Sequence, residues 1–279
     1  MEIRLPRILA AIAVGAALAT SGAAFQSLLR NPLADPYVLG TSSGAALGAA
    51  IAFLVPITGI AWELGGVQLA AFVGALASVG LVWRIAGIGS GEERIASVLL
   101  VGYAVASLLA AALSLVMLAS GVNLRAIFGF LLGGLDGVTW PRLAAAAVPI
   151  ALATLLLARR GRALAAFLLG DEGATHLGID VRRERRIAVA LATLATASAV
   201  ALAGLVGFVG LVVPHLARLA VGSDPRAVLP LSAIGGALLL LLADTVARTI
   251  GVPVGVITAL IGAPFLLWLL HRARAGYAL

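Results

Sequence analysis

Ser21–Gly48 reads SGAAFQSLLRNPLADPYVLGTSSGAALG, which sets arginine, asparagine, aspartate and two prolines between apolar runs long enough to cross a bilayer. An ordinary loop needs no such ordered set of small, polar and helix-breaking residues. A lipid-facing helix does not tolerate it, because the backbone groups freed by the prolines would go unpaired in hydrocarbon. The stretch is therefore read as a break between two membrane segments. Pro32 and Pro36 stop the first helix, and Arg30, Asn31 and Asp35 form a polar cluster at its cytoplasmic end. Without a nucleophile, base or second carboxylate nearby, the cluster reads as a structural hinge and not as a catalytic site.

The rest of the composition agrees with a membrane location. Of 279 residues, 62% are hydrophobic and 11% charged, and the mean hydropathy is +1.13. The charges cluster between long apolar runs, so the chain reads as all-α and polytopic. The basic excess (19 cationic residues against 12 acidic) then belongs to membrane topology and not to nucleic-acid binding, and every cation is arginine. A chain with no lysine has neither a phosphate-cradling P-loop nor a Schiff base, so the energy for any transport must come from elsewhere. Cysteine is absent, and His176, His215 and His271 are far apart in sequence, so no metal site is assigned. A transported metal is expected to travel inside an organic chelate.

Taking roughly 20 apolar residues per span, about nine spans are expected, at about 6–29, 40–58, 64–83, 95–119, 141–158, 187–203, 205–221, 228–247 and 252–270. The seventh is interrupted and expected to be short. Residues 159–186 carry seven arginines, in RRGR and RRERR, and Arg272 and Arg274 follow in the C-terminal tail. The positive-inside tendency makes both cytoplasmic. Counting back from there puts the N-terminus outside, against the preference of Arg4 and Arg7, and this conflict predicts a first span missing ahead of Ile3. A weak internal echo relates Asp35-Pro36 and the residues after it to Asp224-Pro225 and those after it, with repeat and coincidence both open.

Two further segments stand out. Gly204–Arg218, GLVGFVGLVVPHLAR, combines three glycines with Pro214 and His215, which suits a short or broken helix beside a cavity. There His215 is either a structural group at the helix end or a substrate contact, the structural reading being preferred. Ala165–Gly178, AAFLLGDEGATHLG, is mixed apolar and acidic, and reads as a short amphipathic helix that either docks a soluble partner or lies on lipid. The acids fall near span ends, Asp244 being the deepest. Ion coupling through a midplane carboxylate is therefore disfavoured.

IRLPR at Ile3–Arg7, GAALATSGAAFQSLLRNPLADPYVLGTSSGAALG at Gly15–Gly48, ALAGLVGFVGLVVPHLARL at Ala201–Leu219, LLADTVAR at Leu241–Arg248 and PVGVITALIGAPFLLWLL at Pro253–Leu270 together resemble the FecCD-type permeases, the membrane subunits of ABC importers for iron-siderophores, haem and vitamin B12. The resemblance runs over essentially the whole chain and implies a single permease domain, 1–279, with the fold of the vitamin B12 importer permease. It implies a homodimer or pseudo-symmetric heterodimer with the substrate path at the subunit interface. Two cytoplasmic ATPase subunits would hold the ATP and magnesium, this chain carrying no cofactor of its own and not being an enzyme. A periplasmic or lipid-anchored binding protein would deliver the substrate. The expected location is the bacterial or archaeal plasma membrane with a cytoplasmic C-terminus.

By position in the family motifs, Arg4, Arg7 and Arg248 match external arginines that dock the binding protein. Leu169, Gly170, Asp171, Glu172, Leu177 and Gly178 match coupling helices that seat in the ATPase, within a coupling segment at about 159–186. Gln26, Asn31, Pro32, Gly207, Gly210, Pro214 and His215 fall in the motifs expected to pack beside the pathway. The family has about ten spans, and the one without a counterpart here precedes IRLPR. Thr249–Val252 lacks the glutamate that commonly precedes Pro-x-Gly-Val, and GIGSGEER in the Gly87–Ala96 loop matches no cytoplasmic gate closely, so no gate residue is assigned. The expected cargo is an iron chelate, a siderophore ahead of haem or vitamin B12; the alternative is a self-contained ion-coupled secondary transporter.

Overall fold

Long apolar runs close their backbone hydrogen bonds internally by becoming helices. The structure, a computed structural model, describes residues 2–55, 65–86 and 92–276, the side chains of 92–95 and 272–276 excepted. Its helices are α1 (Arg4–Leu28), α2 (Thr41–Leu54), α3 (Gly66–Ala86), α4 (Glu92–Ala119), α5 (Leu124–Leu131, entered through a 3-10 turn at Gly121–Asn123), α6 (Trp140–Arg159), α7 (Gly161–Phe167), α8 (Gly170–His176), α9 (Val181–Ala203), α10 (Val209–Val221), α11 (Pro225–Ile250) and α12 (Val254–Gly276). Among the described residues, seven helices are long and apolar enough to cross a membrane: α1, α3, α4, α6, α9, α11 and α12. The protein is an all-helical, multi-pass integral membrane protein. The expected spans at 40–58 and 205–221 correspond to α2, of 14 residues, and α10, of 13. The Gly87–Ala96 gate comparison falls largely outside the described residues, as do the side chains of Arg272 and Arg274.

The core forms around α1 and α9, whose apolar windows are each 72% buried, whereas that of α4 is only 11% buried. Small residues make this possible. The α1 positions Ala10, Ala11, Ala17, Ala19 and Ala24 are fully covered, so α6, α9, α10 and α11 all pack on one helix. Where α1 crosses α11, a Cβ built on Gly15 would lie 2.1 Å from the Gly236 carbonyl oxygen, and one built on Gly236 would lie 2.2 Å from that of Gly15. The backbones touch, and no side chain fits between them.

Two helices start late. Gly40, just ahead of α2, lies against Ser78 of α3, eight residues before α3 ends at Ala86, which is about 12 Å of helix. Asn31–Gly40 therefore climbs into the bundle without being helical, instead of turning at its edge as the sequence reading expected. Within the expected polar cluster, the Asn31 carboxamide oxygen accepts from the Leu33 amide (2.9 Å) and the Asp35 carboxylate from the Tyr37 amide (2.8 Å). Each side chain caps its own turn. Asp224 does the same for the Arg226 amide, at 2.9 Å, with Pro225 as the first residue of α11. The echo between the two Asp-Pro pairs is thus a shared turn, after which one chain becomes helical at once and the other five residues later. The Asp224 carboxyl is held below its ordinary pKa by the Arg226 amide and guanidinium.

Candidate functional site

Gly204–Phe208 separates α9 from α10, with Phe208 in the left-handed region at φ 67°. Its backbone finds partners on two sides. The Leu205 amide donates to the Phe130 carbonyl (3.2 Å), and the Ala203 carbonyl accepts from Gly134 (2.7 Å). The Tyr37 hydroxyl then donates to the Val206 carbonyl (2.9 Å) and accepts from the Val206 amide (3.3 Å). One phenol satisfies both main-chain groups of a residue at the break. Tyr37 was not among the site residues read from sequence; its place in a helix-free stretch between two apolar runs was the available signal.

The two breaks are joined a second time. Pro214 has no amide proton for the carbonyl four residues earlier, that of Gly210. The Gln26 carboxamide of α1 supplies the missing donor at 3.2 Å, and also reaches the Ala34 carbonyl at 3.1 Å. Pro36 sits directly on Gly210, where a built Cβ would come within 2.4 Å of its ring. Gln26, Gly210 and Pro214 are thereby brought together. Gly207 lies within the adjoining break. His215 sits one residue past Pro214, edge-on to Phe265 with ring centroids 5.7 Å apart. Asn31 and Pro32 are exposed and stand apart from this interlock.

One end of the bundle carries Arg30, Arg84 and the arginine-rich 159–186 segment. Within it, Ala165–Gly178, expected as one short amphipathic helix, is divided between the end of α7 and α8. The apolar half, α7, is buried through Leu164 and Phe167, with Gly161 packed on the backbone of Arg226 at the start of α11. The polar half, α8, is tied to α9 by Arg185, which binds Asp171 at 2.6 Å and lies over the Phe167 ring at 5.3 Å. Arg160 binds Glu184 at 2.6 Å, and Asp180 caps α9 by accepting from the Arg183 amide at 3.0 Å. Of the expected coupling residues, Asp171 is thus spent on positioning α8. Leu169, Glu172, Leu177 and Gly178 are exposed and Gly170 is half-buried at the start of α8. Leu169 and Leu177 show 67% and 62% of their surface. The result is a firm platform with an apolar and acidic outer face.

The opposite end carries the start of α1, the end of α11 and the connection 132–139 between α5 and α6. Arg4 and Arg248 are exposed there. Arg7 is not: its side chain is 12% exposed. Nε and Nη2 fork onto the Asp244 carboxylate at 2.8 and 2.7 Å, and Nη1 binds Asp136. Of the three arginines expected to dock a binding protein, Arg4 and Arg248 thus lie open at this face, and Arg7 is paired with two carboxylates of its own chain. Beside it, a cleft of about 360 Å³ is lined by Phe53, Gln68, Phe130 and Asp136 among others. The chemistry offered overall is that of docking and conformational change. Among the described residues no three His, Cys, Asp or Glu side chains are grouped to hold a metal ion.

Comparison with known proteins gives concordant results. The FecCD transport family matches residues 1–272. The cobalamin import system permease protein BtuC of Halobacterium salinarum is 46% identical, over 96% of this chain and 72% of its own. The hemin transport system permease protein HmuU of Yersinia pestis is 41% identical, over 98% of this chain and 83% of its own. Among solved structures, one described as an inward-facing, metal-chelate type ABC transporter superposes with a TM-score of 0.89. It is 31% identical and covers 97% of this chain and 86% of its own.

Proposed function

Because this chain belongs to the FecCD transport family, we propose that it is the permease subunit of a binding-protein-dependent ABC importer, two copies of which enclose the path of a metal chelate. The whole-chain family match is the observation that carries this reading. The chelate is taken to be an iron compound, a siderophore ahead of haem or a corrinoid. ATP is hydrolysed on separate subunits, in keeping with a chain that has no lysine for a phosphate loop.

The arginine-rich end is then cytoplasmic, and the exposed face of α8 receives the ATPase. Arg185–Asp171 links that face to α9, and the contact of Gly161 with Arg226 links it to α11. A push on the platform therefore moves two helices whose far ends carry the Gly204 break and Asp244. The interlocked breaks supply the bend, since short helices with non-helical leads change direction without breaking a continuous hydrogen-bond ladder. Arg4 and Arg248 face the outside, where a binding protein bearing carboxylates would be oriented by their charge.

Reconstitution with the ATPase and binding protein in liposomes tests this reading. Uptake is expected to require ATP inside the ATPase-facing compartment and to ignore proton and sodium gradients. Uptake that runs without the ATPase and follows an ion gradient overturns it.

A further inference from the structure

Helices α3 and α6 both pack on α9 without packing closely on each other among the described residues. Between them lies a second cleft, of about 290 Å³. One face of each helix lines it: Gln68 and Phe72 of α3, Arg142, Ala145 and Pro149 of α6, and Ala201 of α9 contribute. Arg142 to Pro149 rises about 10 Å, so this volume leaves the cleft about 6 Å across, too narrow for a further helix of about 10 Å. A hydrocarbon chain fits. The head of the cleft is polar. Trp140, at the start of α6 and 44% exposed, marks the depth of the membrane interface, and Arg142 brings a guanidinium to the cleft just below it. The Gln68 carboxamide folds back over the start of α3, where a Cβ built on Gly65 would lie 2.8 Å from Oε1. That oxygen is buried and has no hydrogen-bond donor among the described residues, a costly state for an acceptor. Deeper in, Phe72, Ala145, Pro149 and Ala201 present only apolar side chains.

We propose that this cleft seats one phospholipid whose head group carries N–H or O–H donors, drawn from the leaflet at the end opposite the arginine-rich one. Its phosphate meets Arg142, a head-group donor meets Gln68 Oε1, and the upper part of one acyl chain runs along the apolar walls. The two polar groups choose the occupant together. A guanidinium by itself holds any phosphate, whereas a buried acceptor beside it selects a head that can donate. An ethanolamine or glycerol head satisfies both groups, and a choline head leaves the oxygen unmet. The seated chain joins α3 to α6, which the protein connects chiefly through α9. The inference needs only that the chain lies in a membrane, so it stands apart from the importer reading.

The test uses the full chain in the assembly in which it purifies, delipidated in detergent and titrated with phosphatidylethanolamine or phosphatidylcholine of identical chains. Bound lipids are counted by native mass spectrometry. The two lipids have the same net charge and differ in the N–H donors of the head. One tightly held phosphatidylethanolamine per chain is expected, bound about fivefold more tightly than phosphatidylcholine, the scale of one hydrogen bond. Gln68→Leu is expected to bind the two alike, and Arg142→Gln to bind both more weakly. Ala145→Phe, at an exposed position, fills the cleft and is expected to displace either lipid. Equal affinity of the wild type for the two lipids overturns the proposal, and so does a preference that survives Gln68→Leu. Undiminished binding in Arg142→Gln removes the phosphate contact and overturns it too, while a tight lipid retained by Ala145→Phe sits elsewhere on the surface. The comparison in the wild type decides the matter even where a variant fails to assemble.

Discussion

Gly15→Ala places a methyl carbon 2.1 Å from the Gly236 carbonyl oxygen and 2.9 Å from the Leu240 Cβ. Neither neighbour is the loose end of a side chain, so α1 and α11 must part by about 1 Å to relieve the contact. Overpacking of this kind costs about 1–3 kcal/mol. The Arg7–Asp244 fork lies eight residues further along both helices, so it is drawn apart by the same separation. Gly80→Ala is the matched control, because a Cβ there meets nothing within 4 Å. At that exposed position in α3 alanine removes glycine's excess backbone freedom, a gain of up to about 1 kcal/mol. The same substitution is thus expected to have opposite signs at the two sites. Thermal unfolding of the purified chain in detergent, followed by size-exclusion of the surviving fraction, reads the difference. A midpoint several degrees below wild type is expected for Gly15→Ala, and one at or above wild type for Gly80→Ala. Equal midpoints for the two variants would refute backbone contact as the basis of the α1–α11 crossing.

Two further outcomes follow from the interlock and the platform. Gln26→Leu leaves the Gly210 carbonyl without its donor and is expected to cost about 1–3 kcal/mol. Pro214→Ala returns an amide to that carbonyl, so the double variant should lose less than the sum of the singles, and strict additivity in the melting data would count against the assignment. Asp171→Asn removes the charge that Arg185 holds, and amides of Gly170–His176 should exchange roughly fivefold faster, matching about 1 kcal/mol for a partly exposed pair. If exchange in α8 does not change, α8 is held by something other than this ion pair.

The positions of the long helices were legible because a run of about 20 apolar residues has few alternatives in a membrane. Helix α5 was missed for the converse reason: LRAIFGFL is eight residues long and follows Asn123, so it registers neither as a span nor as a polar loop. The break at Gly204–Phe208 was legible from its glycines and Pro214. Its partner at Asn31–Gly40 was recognised as a break but placed at the edge of the bundle, since the depth of a non-helical segment depends on what it packs against. Here Ser78, Gly210 and Val206 decide that depth, and all three are distant in sequence. Arg7 shows the same limit. Its motif marks an arginine at a helix start, whereas the carboxylates that occupy it come 129 and 237 residues later.

The two short helices carry a consequence for biogenesis. At 14 and 13 residues, α2 and α10 are each about 20 Å long, well short of the roughly 30 Å hydrocarbon layer. Neither can settle across the bilayer as a finished unit while the chain is being synthesised. The Tyr37 hydroxyl in the lead into α2 and the Gln26 carboxamide at the end of α1 lack their Val206 and Gly210 partners until those residues exist, more than 160 residues downstream. The N-terminal third must therefore wait in the membrane, incompletely bonded, for the C-terminal third to be made. A truncation ending before Gly204 should leave α2 unable to hold its place, so this permease matures as a late, concerted closure and not helix by helix.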